Sequence, residues 1–431
     1  MTDWWRQLVQ VERDERRALW LAFVYFFCLL AGYYVLRPLR DEMGIAGGVK
    51  NLPWVFTGTF LAMLAVVPLF GALTARFPRR RFLPIVYWFF TANILAFYAL
   101  FESGLASHAA VARAFFIWVS VFNLFVVSVF WSFMVDLFTN EQARRLFGFI
   151  AAGGTAGAIA GPALTAWLAP ALGPVNLLPL SAIFLVGAVL SIHGLVRWAR
   201  DHASAAEVLP EDRPLGGGIW EGVTLVLHSP YLLGIALFML LFTTLSTFLY
   251  FEQAHIVKAS FDDPGRRTAL FAAMDLAVNM LTLFTQTLLT GRLMTRLRLP
   301  VVLALVPLAV AAGFAALALA PVLTVLVAFQ VLRRAGDYAL TRPAREVLYT
   351  VVPRAAKYKA KNFLDTVIYR GGDAASGWLF AALQALGLGL AGIAWAAVPL
   401  SLAWAATAWW LGRRQEQMGA AVTTRRQEVG T

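Results

Sequence analysis

Apolar runs of about 20 residues, the length a helix needs to cross a bilayer, fill this chain from residue 18 to residue 411. About twelve can be drawn on that criterion: 18–40, 52–74, 82–101, 111–137, 147–169, 175–197, 230–252, 267–291, 299–319, 322–350, 362–386 and 388–411. Hydrophobic residues make up 60% and charged residues only 14%, against about 25% charged in soluble domains. Mean hydropathy is +0.69. The expected fold is an all-α membrane protein of about twelve transmembrane helices. Residues 198–229 form the one long loop, which divides the chain into 1–197, 198–229 and 230–431. A short amphipathic helix near Trp220 is expected on the membrane surface.

The net charge of +12 raises the question of nucleic acid, but its distribution excludes it. The basic residues fall in short loops between apolar runs and read as topology determinants. One side carries Arg6, Arg13, Arg76, Arg79, Arg144, Arg145, Arg197, Arg296, Arg298, Arg354, Lys357, Arg413 and Arg414; the other has little beyond Lys50, Lys258, Arg266 and Arg267. Both termini are therefore expected in the cytoplasm. Acidic residues stand among the N-terminal arginines and no small-residue cleavage site follows the first apolar run, so no cleavable leader is expected. Cys28 is the only cysteine, so no internal disulfide forms. His255 has no companions at metal-ligand spacing, and hydrolase, kinase and P-loop signatures are absent. No enzyme, metal or cofactor is expected.

Charge inside a membrane run is costly and is usually kept for function. The first run ends Leu36-Arg37-Pro38-Leu39-Arg40-Asp41-Glu42. Two guanidiniums there either snorkel to the interface or offer rigid donor forks to phosphate or carboxylate. Arg333 and Arg334 lie midway through run 322–350, and Asp337, Thr341 and Arg345, spaced four apart, are expected on one helix face. Arg370 is deep in the eleventh run, with Asp373 a turn later. These residues form either an internal ion-pair network or an anion path. Asp275, Asn279 and Gln286 stripe the eighth run and read slightly better as interhelical hydrogen-bond glue than as cavity lining. Tyr25, Phe26, Phe27, Tyr33, Tyr34, Trp88, Phe89 and Phe90 read as packing or lipid-facing residues. The glycines of Gly153-Gly154-Thr-Ala-Gly157-Ala-Ile-Ala-Gly161 read as close helix packing.

The two halves echo each other. Gly71-Ala-Leu73-Thr-Ala-Arg76 recurs as Gly291-Arg-Leu293-Met-Thr-Arg296, and Gly153–Gly154 recurs as Gly371–Gly372. Two six-helix halves in parallel repeat are the major facilitator architecture, and GALTARFPRRR resembles the loop motif of that superfamily in part. Three further motifs resemble the ATP/ADP antiporter family of plastids and intracellular bacteria. For L-R-x-x-K-D the chain has Leu36, Arg37, Arg40 and Asp41, with arginine in the lysine place. In FWSFMVDLFTNEQARRLFGFI (130–150), Phe130, Trp131, Phe133, Thr139, Ala143, Arg144 and Arg145 match, and Val135-Asp136 replaces Asn-Glu. In PAREVLYTVVPRAAKYKAKNFLD (343–365), Pro343, Arg345, Glu346, Tyr349, Lys357, Lys359, Lys361 and Asp365 match without a gap.

The resemblance implies a nucleotide carrier, exchanging ATP for ADP; a bacterial inner membrane and a monomer are the expected setting. Transport-essential positions carry over to Arg40 and Asp136, and further to Glu252 and Lys361. Arg37, Arg40, Arg333, Arg334, Arg345, Lys361 and Arg370 are then the substrate-binding residues. Asp136, Glu252, Glu346, Lys357 and Lys359 are the gating residues, with Arg37/Arg40 facing Glu252 at the outer mouth and Asp136 facing Lys357–Lys361 at the inner mouth. Two other readings stay open. One is a proton-coupled carrier of another solute, using Asp136, Glu252 or Asp275; the other is a membrane partner that transports nothing.

Overall fold

The computed structural model describes residues 11–12, 15–76, 79–201, 219–353, 360–361 and 363–429. The elements are α1 (Glu15–Ala46), α2 (Leu52–Arg76), α3 (Arg79–Ser103), α4 (His108–Leu137), α5 (Asn140–Leu172) and α6 (Leu178–Asp201). A short α7 (Ile219–His228) precedes α8 (Pro230–Ser260) and α9 (Pro264–Thr285). A π turn at Gln286–Thr290 joins α9 to α10 (Gly291–Arg296), and α11 (Leu299–Leu319) follows. Next come α12 (Leu323–Gly336), a π turn at Asp337–Thr341 and α13 (Arg342–Leu348). A third π turn, Leu364–Ile368, leads into α14 (Tyr369–Ala385), and α15 (Leu390–Val429) ends the chain. Every backbone polar group in a bilayer must be satisfied within its own segment, which explains an all-helical solution.

Ten helices among the described residues are long and apolar enough to cross a membrane. The tenth and eleventh apolar runs are not among them. Both fold as helix, but each is broken by a π turn carrying charge, Asp337 in one and Asp365 in the other. A helix forms at the predicted place near Trp220, as α7.

The chain packs as two compact units. The first comprises Met1–Val49, Leu61–Leu209 and Phe261–Asn279; the second comprises Lys50–Phe60, Pro210–Ser260 and Met280–Thr431. In the first, α1 is the central post, buried from Ala18 to Ile45 along most of its surface. The glycine run of α5 lies flat against it. A Cβ on Gly153 would stand 2.5 Å from the Phe23 carbonyl oxygen, and one on Gly161 2.6 Å from that of Ala31. The aromatics of α1 pack as expected: Phe26 stacks on Phe130 at 4.0 Å, and the Tyr25 hydroxyl donates to Tyr87 at 2.7 Å. Trp88 and Phe89 face outward from α3.

The start of α5 shows what the second motif does locally. Thr139 caps the helix by accepting from the Gln142 amide, and the Gln142 side chain accepts from the Thr139 amide in return. Gln142 and Arg145 then reach Glu15 at 2.9 and 3.0 Å, tying α5 to the first turn of α1. Thr139→Ala should lower stability by about 1 kcal/mol, read as a lower unfolding temperature in detergent.

Candidate functional site

In the first unit, the charges at the end of α1 are matched by the first half of α9. Glu42 accepts from Arg267 Nε at 2.8 Å and Nη2 at 2.7 Å, a two-pronged pair with Glu42 only 1% exposed. Arg267 Nη1 also donates to the Phe261 and Asp262 carbonyls at 3.0 and 3.3 Å. Five residues back along α1, Arg37 stands 3.6 Å from Asp275. One turn further, the Tyr34 hydroxyl donates to Asn279, whose own amide donates to the Ala158 carbonyl of α5. The result is an antiparallel ladder of polar contacts between α1 and α9. Arg40 pairs with its neighbour Asp41 at 2.7 Å and lies over the Phe116 ring.

The ladder bears on the sequence reading in two ways. Asp275 and Asn279 act between helices, as does Gln286, which donates to the Tyr338 carbonyl. The expected pairing of Glu252 with Arg37 or Arg40 would join residues that belong to different units. Neither Glu252 oxygen has a hydrogen-bond partner, while Arg37 sits against Asp275 and Arg40 against Asp41. Asp136 is exposed at the end of α4. Lys357 and Lys359 lie outside the described residues.

The second unit holds the remaining basic residues. Arg333 is ten residues into α12, about 15 Å along its axis. Its Nε and Nη2 donate to Gln330 Oε1 at 3.2 and 3.1 Å, and its Nη1 donates to Ser246 of α8 at 2.7 Å. Gln330 in turn donates to Gln253 of α8 at 2.6 Å. All these hydrogen-bond partners are neutral and among the described residues Arg333 has no ion pair, though the Asp337 carboxylate, one turn on and paired with Arg342, lies within electrostatic reach. A guanidinium carries five N–H groups; three are engaged, which leaves one on each terminal nitrogen.

Other basic groups nearby are already matched. Asp337 binds Arg342 at 3.1 Å, Arg345 faces Asp365 at 3.7 Å, and Arg370 faces Asp373 at 3.5 Å. Lys361 donates to both oxygens of Glu346 at 2.7 and 2.8 Å. Asp373 also accepts from Thr247 of α8 at 3.4 Å. Tyr369 lies within electrostatic reach of Asp373, Arg370, Arg342 and Asp337, so these charges form one cluster between α12, α13 and α14.

The expectation that Asp337 and Arg345 share a face needs correction. A spacing of four presumes 3.6 residues per turn, but the π turn at Asp337–Thr341 brings position i+5 over i. The Arg342 amide duly donates to the Asp337 carbonyl, and the two side chains pair. Arg342 was missed for that reason. Gln330, Gln253, Ser246 and Arg267 were missed as well. The legible signal for Gln330 was its place three residues before Arg333 on one helix face. Arg267 gave no signal of burial, since it stands beside Arg266 at a helix start.

The family described as the Major Facilitator Superfamily matches residues 18–336. Solved structures share the fold at low identity. One is a bacterial homologue of the iron transporter ferroportin in an inward-facing state, with TM-score 0.65, 16% identity and coverage of 94% of this chain and 98% of that one. Another is an auto-inhibited peptide transporter of the POT family, with TM-score 0.62, 15% identity and coverage of 94% and 97%. A third is a bacterial homologue of the human lysosomal transporter Spinster, inward-facing and unoccupied, with TM-score 0.60, 14% identity and coverage of 95% and 99%. No curated protein sequence matches the chain.

Proposed function

This chain belongs to the Major Facilitator Superfamily, and from that premise we propose that its cargo is a small organic anion bearing phosphate or carboxylate, most specifically a nucleotide. The chain is a multi-pass secondary transporter. One observation carries the choice of anion: Arg333, midway through the tenth apolar run, is held by Gln330 and Ser246 and has no ion pair among the described residues. A charge placed there is expensive unless something negative comes to it. The three motifs of the nucleotide-exchanger resemblance narrow that anion to ATP and ADP. Arg334, Arg345, Lys361 and Arg370 are the further cationic positions on its path, and Arg37 and Arg40 are those at the end of α1.

Movement follows the alternating-access scheme of two repeated halves. Arg37 and Arg40 with Glu252 remain the proposed outer gate, while the Glu42–Arg267 pair lies within the first unit and ties α1 to α9. Asp136 and the Lys357–Lys361 segment remain the proposed inner gate, with Glu346 holding Lys361 between turnovers.

The test is uptake of labelled ATP into proteoliposomes preloaded with ADP, against empty ones. Uptake only with internal ADP is expected. Arg333→Gln should weaken ATP binding by about 10- to 150-fold, the worth of a hydrogen bond to a charged group, with the unfolding temperature unchanged. Unaltered binding in that variant removes Arg333 from the site. Uptake that ignores internal ADP removes exchange.

A further inference from the structure

Two helices of the second unit reach one membrane edge together. The apolar run of α15 ends at Leu411, and that of α11 begins at Leu299. The two helices pack along each other, and at this edge they touch backbone to backbone. A Cβ on Gly412 would stand 2.5 Å from the Pro300 Cα.

Four arginines surround that contact. Arg296 ends α10, Arg298 precedes α11, and Arg413 and Arg414 follow Gly412 on α15. All four are exposed. Arg298 pairs with Glu416 at 2.7 Å, which fixes the α10–α11 loop to α15. Arg414 donates to the neutral Gln417 at 3.4 Å. Among the described residues Arg296, Arg413 and Arg414 have no ion pair. Four guanidiniums thus face one carboxylate, and that carboxylate is taken.

The apolar side of the same edge is also marked. Trp409 and Trp410 are exposed, and each stands one helical turn before an arginine, Trp409 before Arg413 and Trp410 before Arg414. Indole rings settle at the headgroup level of a bilayer. Further in, Leu402 of α15 and Leu305 and Leu308 of α11 continue the exposed apolar surface. Guanidinium, indole and aliphatic chain therefore follow one another in the order of phosphate, glycerol and acyl chain. A soluble anion would use the arginines and leave the rest of this surface without a role. We propose that the edge shared by α11 and α15 binds an anionic phospholipid. Arg296, Arg413 and Arg414 would take its phosphate, for which a planar donor fork is suited, and the exposed leucines its chains. A zwitterionic lipid is the poorer ligand, because it carries a cation of its own into a positive field. The site is separate from the cargo path and does not rest on the reading of the cargo.

Native mass spectrometry of the full chain in detergent, titrated with phosphatidylglycerol, reads the site directly. The wild type should hold phosphatidylglycerol in preference to phosphatidylcholine. Arg413→Gln with Arg414→Gln should weaken that binding by about 10- to 30-fold, the worth of two arginines at an anionic membrane surface. Arg197→Gln with Arg200→Gln removes equal charge from exposed positions at the end of α6 and should leave binding unchanged. Equal binding in all three proteins, or an equal loss in both variants, overturns the proposal. So does phosphatidylcholine held as tightly as phosphatidylglycerol. Inorganic phosphate in excess should not displace the lipid; displacement assigns the arginines to a free anion instead. Should the Arg413/Arg414 variant fail to fold, Arg296→Gln decides, with a several-fold loss expected and unaltered binding as the overturning result.

Discussion

Replacing Glu42 with alanine is expected to lower stability by about 3–5 kcal/mol, the cost of leaving one partner of a buried ion pair alone. Arg267 would keep its two backbone acceptors, Phe261 and Asp262, but lose both carboxylate contacts. The size of the effect comes from burial rather than from attraction. Coulomb energy and desolvation nearly cancel while both partners are present, and the desolvation remains when one is removed. A double replacement, Glu42→Leu with Arg267→Met, should therefore recover most of the loss. Unfolding of wild type, single and double variants in detergent checks this. A double variant no better than the single shows that the pair is not the source of the stability. By contrast, the Lys361–Glu346 pair is partly exposed on both sides, and its removal should change stability by about 1 kcal/mol or less.

Gly157→Leu should also damage assembly of the first unit. Even a Cβ at this position runs into the backbone of α1, at the Phe27 carbonyl oxygen and, at 2.9 Å, the Ala31 nitrogen. A side chain in the way can turn aside, but a helix backbone cannot, so α1 and α5 must separate. Overpacking of this kind costs about 1–3 kcal/mol or more, and α1 is the post on which α4, α5 and α6 rest. Gly148, in the same helix, meets nothing within 4 Å. Gly148→Ala should add up to about 1 kcal/mol through helix propensity. The yield of folded protein and its unfolding temperature in detergent should move in opposite directions for the two variants. Equal tolerance of both would refute the close contact.

How much of this was legible in the sequence depended on the range of the physics. Hydrophobic length is a local property, so the ten helices long and apolar enough to span could be read directly. The packing role of the α5 glycines was legible too, since small residues at helical spacing have few other uses in an apolar run. Pairings across distance were not. Glu42 and Arg267 are separated by 225 positions, and nothing near Arg267 distinguishes it from a loop arginine. Depth singled out Arg333, but not the neutral groups that hold it, because glutamine and serine are ordinary residues in any helix. The three motifs split in the same way. Thr139 and Arg145 serve the helix cap and the link to Glu15, while Arg345, Glu346 and Lys361 lie in the second unit's charge cluster. The identity of the anion is a property of contacts that no periodicity encodes.

The three π turns, Gln286–Thr290, Asp337–Thr341 and Leu364–Ile368, all fall in the second unit, and two are stitched together where Thr290 donates to the Ala339 carbonyl. Each holds one residue beyond what a regular turn takes up. A chain that shed that residue would close the turn into regular α-helix and leave the groups beyond it, Arg342 and Arg345 at Asp337–Thr341, aimed as before. The same loss in a regular stretch such as α12 would swing everything after it by about 100°. The turns are therefore the places where this unit can lose a residue and keep the aim of its charges.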